Sequence, residues 1–173
     1  MKESATYSLW LEPTGDIAYK LQERIKKLSN ENGTPLFSPH VTLLGGIQGS
    51  ESELVPLANT LASSVRPFEL ELTKAGYLDT FYQSLFIHVG ENSTLLDLHK
   101  KACRLFDSGD EDNYMPHLSL LYGDLSKNEK LRILNMIGRE FYINFTVKSI
   151  VLMKTDGKPD EWRKAHAAVF KHQ

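Results

Sequence analysis

The 173-residue chain has one cysteine, no long apolar run and no surplus of either charge. A single Cys103 excludes an internal disulfide and a cysteine-based metal cluster. Its expected place is the buried face of a helix, as a small hydrophobe. No stretch approaches the roughly 20 apolar residues of a membrane-spanning helix. Met1 to Tyr7 is polar and holds no apolar core of a signal peptide. A cytoplasmic protein with no membrane partner is therefore expected. Lys and Arg number 20 against 22 Asp and Glu, a net charge of −2. Long nucleic acid is held by a basic surface that releases counterions, so it is not an expected partner. A small phosphate needs only local donors. The acidic residues near the motifs below, such as Asp124, lack metal-ligand spacing, and neither metal nor cofactor is expected. What remains is 41% hydrophobic and 24% charged, ordinary for one soluble globular domain. A monomer is expected.

One pattern occurs twice. Pro39-His40-Val41-Thr42-Leu43-Leu44 and Pro116-His117-Leu118-Ser119-Leu120-Leu121 both read Pro, His, aliphatic, hydroxyl, Leu, Leu. Each predicts a short strand with proline just before its start. Residues two apart in a strand share a face, so each copy presents one imidazole beside one hydroxyl. Two such strands around one cleft would surround a small anion with two imidazoles and two hydroxyls.

The surrounding elements repeat as well. Strand, helix, loop, His strand, capped helix and strand run through residues 1–80 and again through 81–173. Ile17, Leu21, Ile25 and Leu28 form a helical stripe. Ser50/Glu53 and Ser126/Glu129 have capping-box spacing, and Asn92 can cap a third helix. Pro56 fits its helix best if that helix starts near Ser52. Phe141 to Lys154 reads as long strand, and Trp162 to Phe170 as the last one. The acidic stretch 107–113 reads as a loop. The expectation is an α+β fold: one domain of two pseudo-twofold lobes, each a mainly antiparallel sheet with helices on its outer face, and the site in the central cleft.

Opening a phosphodiester needs an activated water, a proton for the leaving oxygen and stabilised charge on phosphorus. Imidazoles suit both proton tasks near neutral pH, and two of them divide into base and acid when their surroundings differ. Thr42 and Ser119 can donate to the non-bridging oxygens. A single His-x-Ser or His-x-Thr is more often structural. The duplicate at equivalent places argues otherwise, because core packing favours neither polar residue. His88, His99, His166 and His172 pair with no hydroxyl and read as structural. Trp10, Phe81, Tyr82, Tyr114 and Tyr122 lie near strand ends or the motifs; packing is the ordinary reading, and a stacking platform for a base the functional one.

The paired His-x-Thr and His-x-Ser resemble the signature of the 2H phosphoesterase superfamily. Tyr-Ser-Leu-Trp-Leu at 7–11, Phe-Tyr-Gln-Ser-Leu-Phe at 81–86, Tyr-Met-Pro-His-Leu-Ser-Leu-Leu-Tyr at 114–122 and Lys-Thr-Asp at 154–156 are similar to the cyclic phosphodiesterases of plant and yeast type. That resemblance implies a metal-independent, bilobal enzyme. It would open ADP-ribose 1″,2″-cyclic phosphate to the 1″-phosphate and nucleoside 2′,3′-cyclic phosphates to 2′-phosphates, by-products of RNA metabolism and tRNA splicing. It implies His40 and His117 as the acid–base pair and Thr42 and Ser119 as phosphate ligands, assisted by Tyr122. Trp10 with Phe81 or Tyr82 would border the base or ribose. The alternatives are a 2′-5′ phosphodiesterase or RNA-end-processing relative with the same catalytic set, and a nucleotide-binding module without catalysis.

Overall fold

The computed structural model describes residues 5–172; residues 1–4, where the polar N-terminal stretch begins, and Gln173 lie outside it. Eight strands and four helices alternate along the chain. They are β1 (Ala5–Leu11), α1 (Gly15–Asn32), β2 (Val41–Gly49), α2 (Glu51–Ser63), β3 (Phe68–Gly76), β4 (Leu85–Val89), α3 (Ser93–Phe106), β5 (His117–Leu121), α4 (Lys127–Ile137), β6 (Glu140–Val147), β7 (Ser149–Lys154) and β8 (Arg163–Val169).

Local chemistry sets the boundaries. The α1 stripe buries Leu21, Ile25 and Leu28, and Gly33 ends the helix in the left-handed conformation, its N–H returning to the Ser29 carbonyl. Asn92 caps α3 by accepting from the Leu95 N–H at 2.9 Å. Ser126 and Glu129 close the expected capping box on α4. Pro56 departs from expectation. With Ser50 as cap and Glu51 the first helical residue, it sits in the second turn of α2, not the first. The predicted strand 141–154 is two strands broken at Lys148.

All strands join one antiparallel sheet of order β6-β3-β4-β5-β2-β1-β7-β8. The fold is the expected α+β. β6 and β7 are separated by Lys148 alone, yet stand at nearly opposite ends of that order. The sheet therefore curls until its edges approach, and Phe68 stacks on Phe170 with centroids 5.9 Å apart. The sequence repeat does not coincide with the spatial lobes. β3, from the first half, lies between β6 and β4, while β7 and β8, from the second, extend β1. The halves exchange their outer strands, and only β2 and β5 meet in the middle. α1 packs on β5 and α3 on β2, so each helix crosses to the other motif strand. The opposite face of the two motif strands is left open.

Candidate active site

β2 and β5 share one ladder pair, Val41 opposite Leu118. Both are fully buried and point into the core. Alternation then turns His40, Thr42, His117 and Ser119 to the other face. One antiparallel step to either side of that pair sets His40 opposite Ser119 and Thr42 opposite His117. The four polar groups stand at the corners of a quadrilateral, the two imidazoles on one diagonal and the two hydroxyls on the other. All four line one cleft of about 370 Å³.

The same local bond orients both rings. His40 Nδ1 lies 2.7 Å from the Ser38 carbonyl, and His117 Nδ1 lies 2.9 Å from the Met115 carbonyl. A carbonyl only accepts, so each Nδ1 carries the proton and each Nε2 is left for chemistry. The surroundings then diverge. His40 is buried and lies flat on Trp10, centroids 3.5 Å apart and planes 3° from parallel. Burial lowers its pKa to about 4; the Ser38 bond opposes that shift and the nearby His117 adds to it. His117 is half-exposed beside Phe86 and across the ladder from His88. Its pKa is also lowered, first by desolvation, with His88 a minor contributor.

The hydroxyls differ too. Thr42 Oγ1 has no partner among the described residues, whereas Ser119 Oγ donates to the Tyr82 carbonyl at 3.0 Å. Tyr122 stacks on Phe37 at 3.7 Å. Burial pushes its phenol well above the ordinary value, so it remains a neutral donor. Among the described residues no Asp, Glu, Lys or Arg lines the cleft. Among those residues a bound anion meets no carboxylate, and a positive charge would come from an imidazolium. The described residues contain no group of three His, Cys, Asp or Glu arranged to hold a metal ion, and no helix among them is long and apolar enough to cross a membrane.

Trp10, Tyr82 and Tyr122 line the cleft with the four motif residues, but Phe81 and Tyr114 do not. Phe81 packs edge-on against Tyr82 at 5.0 Å. Tyr114 stacks on His99 and donates to the Thr42 carbonyl, behind the site. Its place in a base pocket is therefore corrected, as is that of Phe81. Trp10 gives one face to His40. The cleft also includes Ser8, Gln83, Thr155, Trp162 and, at a bulge within β2, Gly45 and Gly46, none of which the sequence assigned to it. Trp162 stands 6.0 Å from Tyr82 and 5.8 Å from Trp10. It reaches the cleft through the β7–β8 connection, which no local pattern announces.

A plant protein, the cyclic phosphodiesterase of Arabidopsis thaliana, is 23% identical over 124 residues, 72% of this chain and 68% of that protein. The crystal structure of TT0787 of Thermus thermophilus superposes with a TM-score of 0.70 at 18% identity, covering 96% of this chain and all of that one (100%). E. coli LigT complexed with 3′-AMP gives a TM-score of 0.66 at 14% identity, over 98% of this chain and 100% of that one. These structures share the fold. The family model of the 2′-5′ RNA ligase superfamily matches residues 17–159, and by that match, with its doubled His-hydroxyl motif, the chain belongs to this superfamily, the 2H phosphoesterases.

Proposed function

We propose that the protein is a metal-independent cyclic phosphodiesterase. Its substrates would be nucleoside 2′,3′-cyclic phosphates, opened to 2′-phosphates, and ADP-ribose 1″,2″-cyclic phosphate. The observation that carries this reading is the pair of Nδ1-anchored imidazoles on one open face, each with Nε2 unspent beside a hydroxyl.

The steps follow from that arrangement. The phosphate occupies the quadrilateral, its non-bridging oxygens receiving hydrogen bonds from Thr42, Ser119 and the protonated Tyr122 phenol. Ser119 exchanges its bond to the Tyr82 carbonyl for one to the phosphate. His40, held neutral by burial, takes a proton from water at Nε2 as the water oxygen bonds to phosphorus. The P–O3′ bond breaks, and protonated His117, in the more open position, gives its Nε2 proton to O3′. Each ring ends in the state the other began in, and exchange with solvent resets the pair. Donors aimed at the charged transition state and a matched acid–base pair are the expected sources of acceleration. A cleft of about 370 Å³ lies at the small end of ligand pockets and favours a single cyclic nucleotide over an oligomer. Tyr82 and Trp162 at its mouth offer aromatic surface for a base. The 3′-AMP bound by E. coli LigT and the activity named for the Arabidopsis relative agree with a small phosphate ester.

The test is hydrolysis of 2′,3′-cyclic AMP in EDTA, with products separated from 3′-AMP. The expected product is 2′-AMP, lost in both His40→Ala and His117→Ala. Activity that depends on a metal, or that survives either substitution, overturns the reading. Cleavage of 2′-5′ dinucleotides in preference to cyclic phosphates moves it to the open-diester alternative.

A further inference from the structure

Little backbone holds the seam between the motif strands. β2 and β5 share only the Val41–Leu118 pair, and Pro116, at the entry to β5, has no N–H to offer β2. The carbonyls of Thr42 and Leu43, beside this pair on β2, are also reached by side chains. One comes from the segment that leads into β5 and the other from α3. The Tyr114 hydroxyl donates to the Thr42 carbonyl at 2.8 Å. His99, buried on α3, places Nδ1 2.8 Å from the Leu43 carbonyl. The two rings stack at 3.9 Å with planes 8° apart, so each limits the other's movement.

The acidic loop closes this arrangement from behind. His99 Nε2 lies 3.0 Å from the Asp110 carbonyl, and Arg104 forks onto Glu111 through Nε and Nη2 at 2.7–3.0 Å. Gly109, at φ +83°, packs so closely that a Cβ there would stand 2.5 Å from the Leu44 side chain. The loop has no contact with the cleft. It backs the ring pair that grips β2.

We propose that Tyr114 and His99 are positioning residues, clamping the Thr42–Leu43 carbonyls to the segment that leads into β5 and to α3, and so setting the first His-hydroxyl pair at working distance from the second. Neither ring lines the cleft, so both act through Thr42 and its strand. This rests on the phosphodiesterase reading, because the distance between motifs matters when both must engage one phosphate. Misplacement of a reacting group by about 1 Å lowers turnover by roughly a hundredfold.

The experiment is a double-mutant cycle of Tyr114→Phe and Thr42→Val, reading kcat and KM on 2′,3′-cyclic AMP and, separately, the Kd for inorganic phosphate. Tyr114→Phe is expected to lower kcat about tenfold in the wild-type background and about twofold or less in the Thr42→Val background, the non-additivity of residues that act as one. Equal losses in both backgrounds, or no loss in either, overturn the clamp. His99→Gln keeps an amide donor for the Leu43 carbonyl and is expected to retain more activity than His99→Leu; equal activity of the two overturns the role of His99. Should His99→Leu fail to fold, the Tyr114 cycle decides alone. If wild type does not turn over the cyclic nucleotide, the functional reading fails, and the phosphate Kd decides the clamp separately. A Kd raised several-fold by Tyr114→Phe supports it, and an unchanged Kd overturns it.

Discussion

The two copies of the His-hydroxyl motif begin alike and end different. Both imidazoles donate from Nδ1 to the carbonyl two residues before them. Both hydroxyl residues share the open face. The first copy is then packed under Trp10 and followed by the exposed Gly45–Gly46 bulge of β2. The second is half-open, flanked by Phe86 and His88 and followed by the buried Tyr122. A duplicated local bond leaves the same nitrogen free in both rings, while burial, deeper at His40, lowers the proton affinity of both, and the proposed division into base and acid rests on that inequality. Acid–base chemistry needs that inequality, because two equivalent imidazoles would compete for one role.

The largest expected effect is loss of either ring. His40→Ala and His117→Ala each lower kcat by about 10³, within the range of a missing general acid or base. The comparison sharpens under chemical rescue. Added imidazole restores part of the His117→Ala activity, because that position opens to the cleft. It does little for His40→Ala, whose space lies beneath the Trp10 face. Equal rescue of both variants would break the distinction.

Acid unfolding separates the same residues without turnover. The proton affinity of His40 falls from the ordinary 6.5 to about 4 in the folded chain. Between these values the unfolded chain binds a proton that the folded chain does not, so unfolding free energy rises with pH across that window. Stability on the order of 3 kcal/mol is therefore lost as pH drops from 6.5 to 4. Urea unfolding of His40→Gln across this range should show a visibly flatter dependence than wild type. His117→Gln, at the less buried site, should flatten it less. Equal flattening would show that burial does not distinguish the rings.

The hydroxyls come next. Thr42→Val removes a donor with no resting partner and is expected to lower kcat by about 10²-fold, as loss of a single transition-state donor does. Ser119→Ala removes a donor and also the tie to the Tyr82 carbonyl, which anchors the turn carrying Tyr82 and Gln83. Its signature is a similar loss in kcat joined to a raised KM. Steady-state kinetics that show both parameters moving for Thr42→Val and only kcat for Ser119→Ala would reverse the assignment.

The doubled motif was legible because strand alternation is a local property. Proline, imidazole and hydroxyl at fixed spacing dictate which side chains share a face wherever the strand goes. The helix caps at Asn92 and Ser126 were readable for the same reason. What the sequence hid depends on long-range pairing. The exchange of β3 for β7 and β8 between lobes leaves no trace in periodicity, since either partner suits the same alternating strand. The break at Lys148 is invisible because a curled sheet lets one residue connect opposite edges. Tyr114 illustrates the limit. Its place beside the second motif was clear, but which face its ring shows depends on His99, on a helix of its own. Trp162 gave no signal because a hairpin connection carries it to the mouth.

The smallest expected effects belong to those aromatic residues, and they test whether the cleft has one aromatic wall or two kinds. Tyr82 is 49% exposed, the most accessible of the rings at the mouth, and Trp162 is half-buried beside it. Stacking on a base adds about 1–3 kcal/mol per contact. Tyr82→Ala and Trp162→Ala should thus raise KM for 2′,3′-cyclic AMP by about tenfold while leaving kcat near wild type. A ribose cyclic phosphate without a base should feel neither change. Trp10 predicts the opposite pattern. Its face is already occupied by His40, so Trp10→Leu opens that ring to water, raises its proton affinity and moves the acid limb of the kcat profile to higher pH, with KM for the two substrates changing in step. If Trp10→Leu instead discriminates between substrates with and without a base, the indole touches substrate directly. The first motif would then combine proton transfer with base recognition, and the division between a buried half and an open half of the site would not hold.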